Sequence, residues 1–144
     1  MTAKQYLQSY RRLEGNYKAI VEEYKAVETD MISIKSPSFG DRVQSSPKND
    51  PIGEIVISLQ NRKGVLSLKM FAFQAQMMTI RNQIMEMEDV DTDFYSILML
   101  RYILYKDWKS ICNSVNMSRA QANVVHGMAL AKFTERYGES FLTN

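Results

Sequence analysis

The stretch from Ser118 to Phe133 spaces its polar and apolar side chains in a way that predicts a helix with two different faces. One face is apolar and would pack inward: Ala122, Val125, Ala129, Leu130 and Phe133. The outward face carries Arg119 and Asn123 among small or apolar residues: Ala120, Val124, Gly127 and Ala131. A guanidinium and a carboxamide form hydrogen bonds with base edges and phosphates, so this face has the chemistry to enter a groove of DNA.

A shorter helix is predicted immediately before it. Asp107 can cap its first turn through the carboxylate. Its apolar face would be formed by Trp108, Ile111, Cys112 and Val115. Asn116 and Met117 would make the turn, and Ser118 with Gln121 three residues on forms a capping-box pattern that starts the next helix. Two helices joined by so short a turn predict a helix-turn-helix.

A supporting helix is predicted from Asp91 or Thr92 to about Tyr105, with apolar positions at Phe94, Ile97, Leu98, Leu100 and Tyr102. Acidic residues crowd its start: Glu86, Glu88, Asp89, Asp91 and Asp93. Because they are sequential and no histidine accompanies them, they favour a solvated helix start over a metal site. The sequence therefore predicts no metal centre here.

Nucleophilic chemistry would have to come from Cys112 and His126, which are the sole cysteine and histidine of the chain. A thiol–imidazole pair needs a pocket and a third group to orient the base, and the sequence indicates neither. Cys112 is expected to pack under the second helix, and His126 to pack or to hydrogen-bond to backbone or phosphate. With no phosphate-binding loop, zinc motif or paired catalytic carboxylates, the sequence predicts no catalytic residues, no cofactor and no enzyme.

Two resemblances add to this interpretation. Ser118 to Phe133 is similar, without a gap, to the recognition helix of region 4 of the bacterial primary sigma factor, whose pattern runs Ser-Arg-x-x-Val-x-x-Ile-x-x-x-Ala-Leu-x-x-Leu. Nearly the full length resembles a family of small phage and prophage proteins related to the ArpU-type and RinA-type regulators of late phage transcription. Three strings carry that resemblance: SPSFGDRVQSSPKND (Ser36 to Asp50), LRYILYKDWKSI (Leu100 to Ile111) and VHGMALAKF (Val125 to Phe133). It implies a sigma-like helix-turn-helix and a role in the control of phage genes.

The sigma resemblance also implies which residues contact DNA. Base contacts carry over to the first two turns of the second helix, at Arg119, Gln121, Asn123 and Val124. Arg119 suits guanine, Asn123 suits adenine and Val124 can meet a thymine methyl, whereas Gln121 is less free because it also completes the cap. Backbone phosphates would fall to the surrounding basic residues: Arg101, Lys106, Lys109, Lys132 and Arg136.

Two long helices precede this module, each with apolar residues at alternating steps of three and four, the pattern of a coiled-coil seam. The first seam runs Ala3, Tyr6, Tyr10, Leu13, Tyr17, Ile20, Tyr24, Val27, Met31 and Ile34. The second begins after an Asp50 cap and Pro51 and runs Ile52, Val56, Leu59, Lys63, Leu66, Met70, Phe73, Met77, Ile80, Ile84 and Met87. The two seams predict an antiparallel helical hairpin.

The second long helix has a further apolar strip outside its seam: Phe71, Ala72, Ala75, Met78 and Met85. A lone hairpin would leave this strip in water, which predicts self-association, most simply as a homodimer.

The connection between the long helices contains all three prolines of the chain, between Ser36 and Pro51. Long ordered connections often carry function, and a partner or phosphate could be bound by Asp41, Arg42, Gln44, Ser45 and Ser46. The alternative is that the charged pair caps helices or pairs internally while the serines are solvated.

The 144 residues carry 18 Lys and Arg against 16 Asp and Glu, a net charge of +2, which is weak for a protein that holds DNA by charge alone. One cysteine excludes an internal disulfide. No apolar run reaches the roughly 18 residues of a membrane span, and the polar start MTAKQYLQSYRR does not resemble a secretion signal. We expect a protein of the bacterial host cytoplasm, away from the membrane.

The sequence thus predicts an all-α fold: a long antiparallel, coiled-coil-like two-helix hairpin over residues 1–90, with a loop at 35–50, for oligomerisation, and a C-terminal helix-turn-helix module over residues 91–144. The predicted function is a dimeric, sequence-specific DNA-binding regulator of late phage or prophage genes, with bacterial RNA polymerase as a further expected partner. The alternative is a phage interaction or assembly protein, similar to a small terminase subunit or a polymerase-binding adaptor, that oligomerises through the hairpin.

Overall fold

The computed structural model describes residues 1–34 and 50–142. Within these ranges the chain is helical and has no strand, which confirms the predicted all-α fold. The helices are α1 (Ala3–Ile34), α2 (Pro51–Glu86), α3 (Thr92–Leu98), α4 (Trp108–Val115) and α5 (Arg119–Tyr137). A π-helical turn, Met99–Ile103, continues α3, and short 3-10 turns follow α2 and α5 at Met87–Asp89 and Gly138–Ser140. The predicted partner loop, Asp41, Arg42, Gln44, Ser45 and Ser46, lies outside the described residues.

Side-chain caps fix where the helices begin. Asp50 accepts a hydrogen bond from the Gly53 amide at 2.9 Å, with Pro51 as the first residue of α2, as predicted. Asp91, the first of the two residues proposed as the cap of α3, accepts from the Asp93 amide at 2.8 Å. These bonds satisfy amides that have no partner inside the helix.

The chain forms two compact units, and Gly15–Gln74 is one of them. Its parts of α1 and α2 pack together along the predicted seams, with Val27 and Leu66 buried. Lys63, the polar member of the second seam, holds its ammonium 3.6 Å from Glu28 and 5.3 Å from the centre of the Tyr24 ring. The seam therefore accommodates a lysine by pairing its charge at the edge of the interface.

The other unit combines Met1–Glu14 with the chain from Ala75 onward. Tyr6 of α1 stacks on Phe141 with ring centroids 4.8 Å apart, and its hydroxyl donates to Gln83 of α2 at 2.8 Å. The shared core contains Ala3, Leu7, Tyr10, Ile80, Ile84, Met87, Phe94, Leu98, Tyr102, Ile103, Ala129, Phe133 and Phe141. The compact units thus group residues differently from the predicted ranges 1–90 and 91–144, because the ends of both long helices complete the core around α3 and α5.

The segment after α3 differs from the continuous helix to about Tyr105 that the sequence predicts. The backbone widens into the π-helical turn, in which the Leu104 amide donates to the carbonyl of Met99 at 3.0 Å. Tyr105 then takes a left-handed conformation (φ 55°), a position that usually belongs to glycine. Contacts outside the local chain hold it there: its hydroxyl donates to Glu14 at 3.1 Å and Arg11 lies over its ring.

Candidate nucleic-acid interface

The connection between α4 and α5 is built by three local devices. Asp107 accepts from the Ser110 amide at 2.8 Å and caps α4. Asn116 ends α4 in the left-handed conformation (φ 57°), so that its amide reaches the carbonyl of Cys112. Ser118 and Gln121 form both bonds of the capping box, at 3.2 and 3.1 Å. The predicted caps and turn are confirmed, and α4 and α5 have helix-turn-helix connectivity.

The inward faces of the two helices are also those predicted. Ile111 of α4 is fully buried, and so are Ala122, Ala129 and Phe133 of α5. Cys112 is half-buried, consistent with packing. Because small alanines occupy two of the buried positions on α5, neighbouring elements can approach its backbone closely. The opposite face of α5 is exposed at Arg119, Ala120, Asn123, Val124, Gly127 and Ala131.

The exposed face of α5 is chemically sparse. Asn123 is exposed, whereas the side-chain carbonyl of Gln121 is already occupied by the Ser118 amide. Val124 and Met128 are apolar and 62% and 54% exposed. Met117, Ala120, Gln121, Val124 and Val125 line an apolar depression of about 350 Å³. A ligand seated against this face would meet one free carboxamide beside a mostly apolar surface.

Arg119 does not extend freely from the start of α5. Its guanidinium carbon lies 4.3 Å from the centre of the Trp108 ring, a cation–π contact with the first residue of α4. Arg101, from the π-helical turn, places its guanidinium 5.1 Å from the same ring and donates to the Lys106 carbonyl at 3.3 Å. Three elements therefore bring two cations to one indole.

The same indole also contacts His126. The centroids of the two rings are 4.9 Å apart in an edge-on arrangement, and the Tyr102 hydroxyl hydrogen-bonds His126 Nε2 at 2.8 Å. Burial, and to a smaller extent the positive charges of Lys4, Arg101 and Arg119, together lower the pKa of His126 to about 4. His126 is accordingly neutral at physiological pH. The sequence predicts that His126 packs or hydrogen-bonds to backbone or phosphate; in the structure its ring packs against Trp108 and Tyr102, and its hydrogen-bond partner is the Tyr102 side chain.

The spacing of residues in α4 predicts for Trp108 only a place on the apolar face, yet in the structure its indole contacts Arg101, Arg119 and His126. The one sequence signal is its position as a lone tryptophan between Lys106 and Lys109. Its two arginine neighbours come from outside α4, so spacing within that helix cannot reveal them.

The other four residues predicted to contact phosphates do not join Arg101 and Arg119 at the Trp108 ring. Lys106 lies just before α4 and Lys109 in its first turn, and both are exposed. Lys132 pairs with Glu135 at 3.3 Å. Arg136, near the far end of α5, donates to the Glu86 carbonyl at 3.0 Å. The structure thus gathers Arg101 with Arg119 and leaves the last two basic residues engaged elsewhere on α5.

No protein-family model, curated protein or solved structure matches this chain. Within residues 1–34 and 50–142, no helix is both long and apolar enough to cross a membrane. In the same ranges, no three His, Cys, Asp or Glu side chains are grouped in a way that could hold a metal ion.

Proposed function

We propose that this chain is a sequence-specific DNA-binding regulator of phage or prophage genes that reads double-stranded DNA with α5. The observation that carries the proposal is the α4–turn–α5 unit, in which both helix starts are capped and the outward face of α5 is exposed from Arg119 to Ala131. The resemblance to sigma region 4 and to late phage regulators supports it. The protein would act in the bacterial host cytoplasm, where RNA polymerase is a further partner that the resemblance implies.

The small residues on the outward face favour insertion into a major groove, which is wide enough to admit a helix. Ala120, Gly127 and Ala131 let the helix backbone approach the groove floor, since none has a long side chain. Asn123 can then make a bidentate contact with adenine, and Val124 can contact a thymine methyl. Arg119 enters the interface at the start of the helix.

A second copy of the chain is part of the proposal, since a net charge of +2 gives one copy weak electrostatic affinity for DNA. Apolar side chains are exposed along α2: Phe71 is 73%, Met78 60% and Met85 48% exposed. A homodimer that covers them would carry two copies of α5, one for each of two adjacent half-sites.

The test is fluorescence anisotropy with a labelled duplex from the DNA around the gene itself and a shuffled duplex of equal length. Asn123→Ala should weaken binding to the specific duplex about 5- to 150-fold, corresponding to roughly 1 to 3 kcal/mol, and change shuffled-duplex binding little. Asn16→Ala is the matched control, because Asn16 is exposed on α1, outside the strip on α2. Equal affinity of the wild type for both duplexes would contradict sequence-specific binding.

A second candidate function is protein binding in phage assembly, and the apolar depression on α5 favours it. On that alternative Val124 and Met128 would enter a protein partner. Val124→Asp would then abolish partner binding, and the wild type would bind neither duplex.

A further inference from the structure

Arg101, Trp108, Arg119 and His126, the indole cluster, form a concentrated positive site beside the start of α5. Both guanidinium groups lie about 5 Å from one ring, at 5.1 and 4.3 Å from its centre. The indole makes an edge-on contact with His126, and the Tyr102 hydroxyl fixes that imidazole through a 2.8 Å hydrogen bond. The cations are thus positioned by packed side chains from the π-helical turn, α4 and α5.

Among the residues the structure describes, neither guanidinium forms an ion pair with a carboxylate. The Asp107 carboxylate is close enough to Arg101 to interact with its charge, but it already accepts a hydrogen bond from the Ser110 amide. His126 is neutral at pH 7, because its pKa is lowered to about 4, so the positive charge of the cluster comes from the two arginines. Because no carboxylate within the described ranges neutralises either cation, a phosphate would give each planar fork a bidentate anionic partner.

We propose that Arg101 and Arg119, held on Trp108, form a site for phosphodiester groups of one DNA strand. Guanidinium groups match phosphate oxygens in a bidentate way, and a cation already stacked on an aromatic ring loses less conformational entropy on binding. Trp108 is then a positioning residue, while Arg119 contacts the backbone in place of the base contact predicted from the sequence. This assignment rests on the proposed function.

The test compares affinities for the specific and shuffled duplexes across a salt series. Arg119→Ala should weaken binding to both duplexes by the same factor and lower the salt slope by about one. Trp108→Leu should produce the same pattern, whereas Trp108→Phe should keep most of the affinity because the ring face remains. Adding Trp108→Leu to Arg119→Ala should cost less than the sum of the two single changes, because Trp108 acts partly through Arg119 and partly through Arg101. Arg81→Ala is the matched control, because it removes an exposed arginine from α2. The nearby Glu86 of α2 contacts Arg136 at the C-terminal end of α5, the end opposite Arg119.

Arg119 is exposed, so its replacement does not threaten folding, and the result for Arg119→Ala stands even where a Trp108 variant is unstable. A loss confined to the specific duplex would overturn the proposal, because it would make Arg119 a base reader. An unchanged salt slope would overturn it as well.

A second arm separates this site from the proposed function. Trp108 is the sole tryptophan, so its fluorescence reports on the cluster when inorganic tripolyphosphate is titrated. We expect a saturable change that is lost when Arg101 and Arg119 are both replaced by alanine. If the wild type binds no duplex yet shows this response, DNA binding fails while the phosphate site stands. If neither probe gives a response, both are overturned.

Discussion

Leu7→Ala tests whether the start of α1 belongs to the core that supports the helix-turn-helix. Leu7 is fully buried and shares one buried cluster with Phe94 and Phe133. Removing a fully buried leucine side chain costs about 2 to 5 kcal/mol, through lost burial and the cavity left behind. We expect about 3 kcal/mol here, near the middle of that range, because Leu7 is fully buried. With a urea dependence of about 2 kcal/mol per molar, the unfolding midpoint should fall by roughly 1.5 M.

The assay is urea unfolding followed by the fluorescence of Trp108, which lies in α4 and reports on the helix-turn-helix itself. Leu68→Ala is the matched control, since the same atoms are removed from a side chain that is 74% exposed, and its midpoint should move little. If Leu7→Ala moved the Trp108 transition no more than Leu68→Ala, the shared core would be refuted. The division at residue 90 would then be the better description.

Three further outcomes follow from the structure. Placing Glu at both Ala75 and Met78 should shift a dimer toward monomer in analytical ultracentrifugation, because charges would replace the exposed strip on α2, and a monomeric wild type would contradict the dimer. Ser118→Ala should cost about 1 kcal/mol in urea unfolding through loss of the cap, while Ser118→Asp should cost less, and equal losses would exclude capping as the cause. The pKa of His126 is about 4 in the folded protein and about 6.5 in the unfolded chain, so the free energy of unfolding should fall as pH drops from 6.5 toward 4, by at most about 1.4 kcal/mol per pH unit. His126→Gln should flatten this pH dependence. Parallel pH profiles for the wild type and the variant would contradict the assignment to His126.

The helix starts could be predicted because a cap is a local interaction over three residues. Asp50, Asp107 and Ser118 each precede an apolar pattern, and each accepts the expected amide. A capping-box pair of the same kind forms at the start of α1, where Thr2 and Gln5 exchange two hydrogen bonds between side chain and backbone amide. The seams were equally accessible, since burial along a long helix repeats with a fixed period.

The π-helical turn and the indole cluster could not be predicted in this way, because their stabilising partners come from distant parts of the chain. Tyr105 has a left-handed backbone conformation that costs of order 1 to 2 kcal/mol. Its ring contacts Arg11 and its hydroxyl donates to Glu14, both some ninety positions earlier in the chain. Arg101 and Arg119 similarly converge on Trp108 from either side in sequence. The spacing of residues within one helix cannot predict these long-range contacts.

If α5 reads DNA, affinity and specificity would come from different parts of the molecule. Its outward face offers Asn123 and Val124 to the bases, and each good base contact is worth about 1 to 3 kcal/mol of discrimination, so one copy would distinguish few base pairs. The indole cluster adds phosphate contacts that every sequence supplies equally, which raises affinity without adding selectivity. Selective binding would therefore depend on two copies acting together, since the second α5 would double the number of bases read. Disrupting the α2 strip should on this argument reduce discrimination between the two duplexes even when the indole cluster is intact.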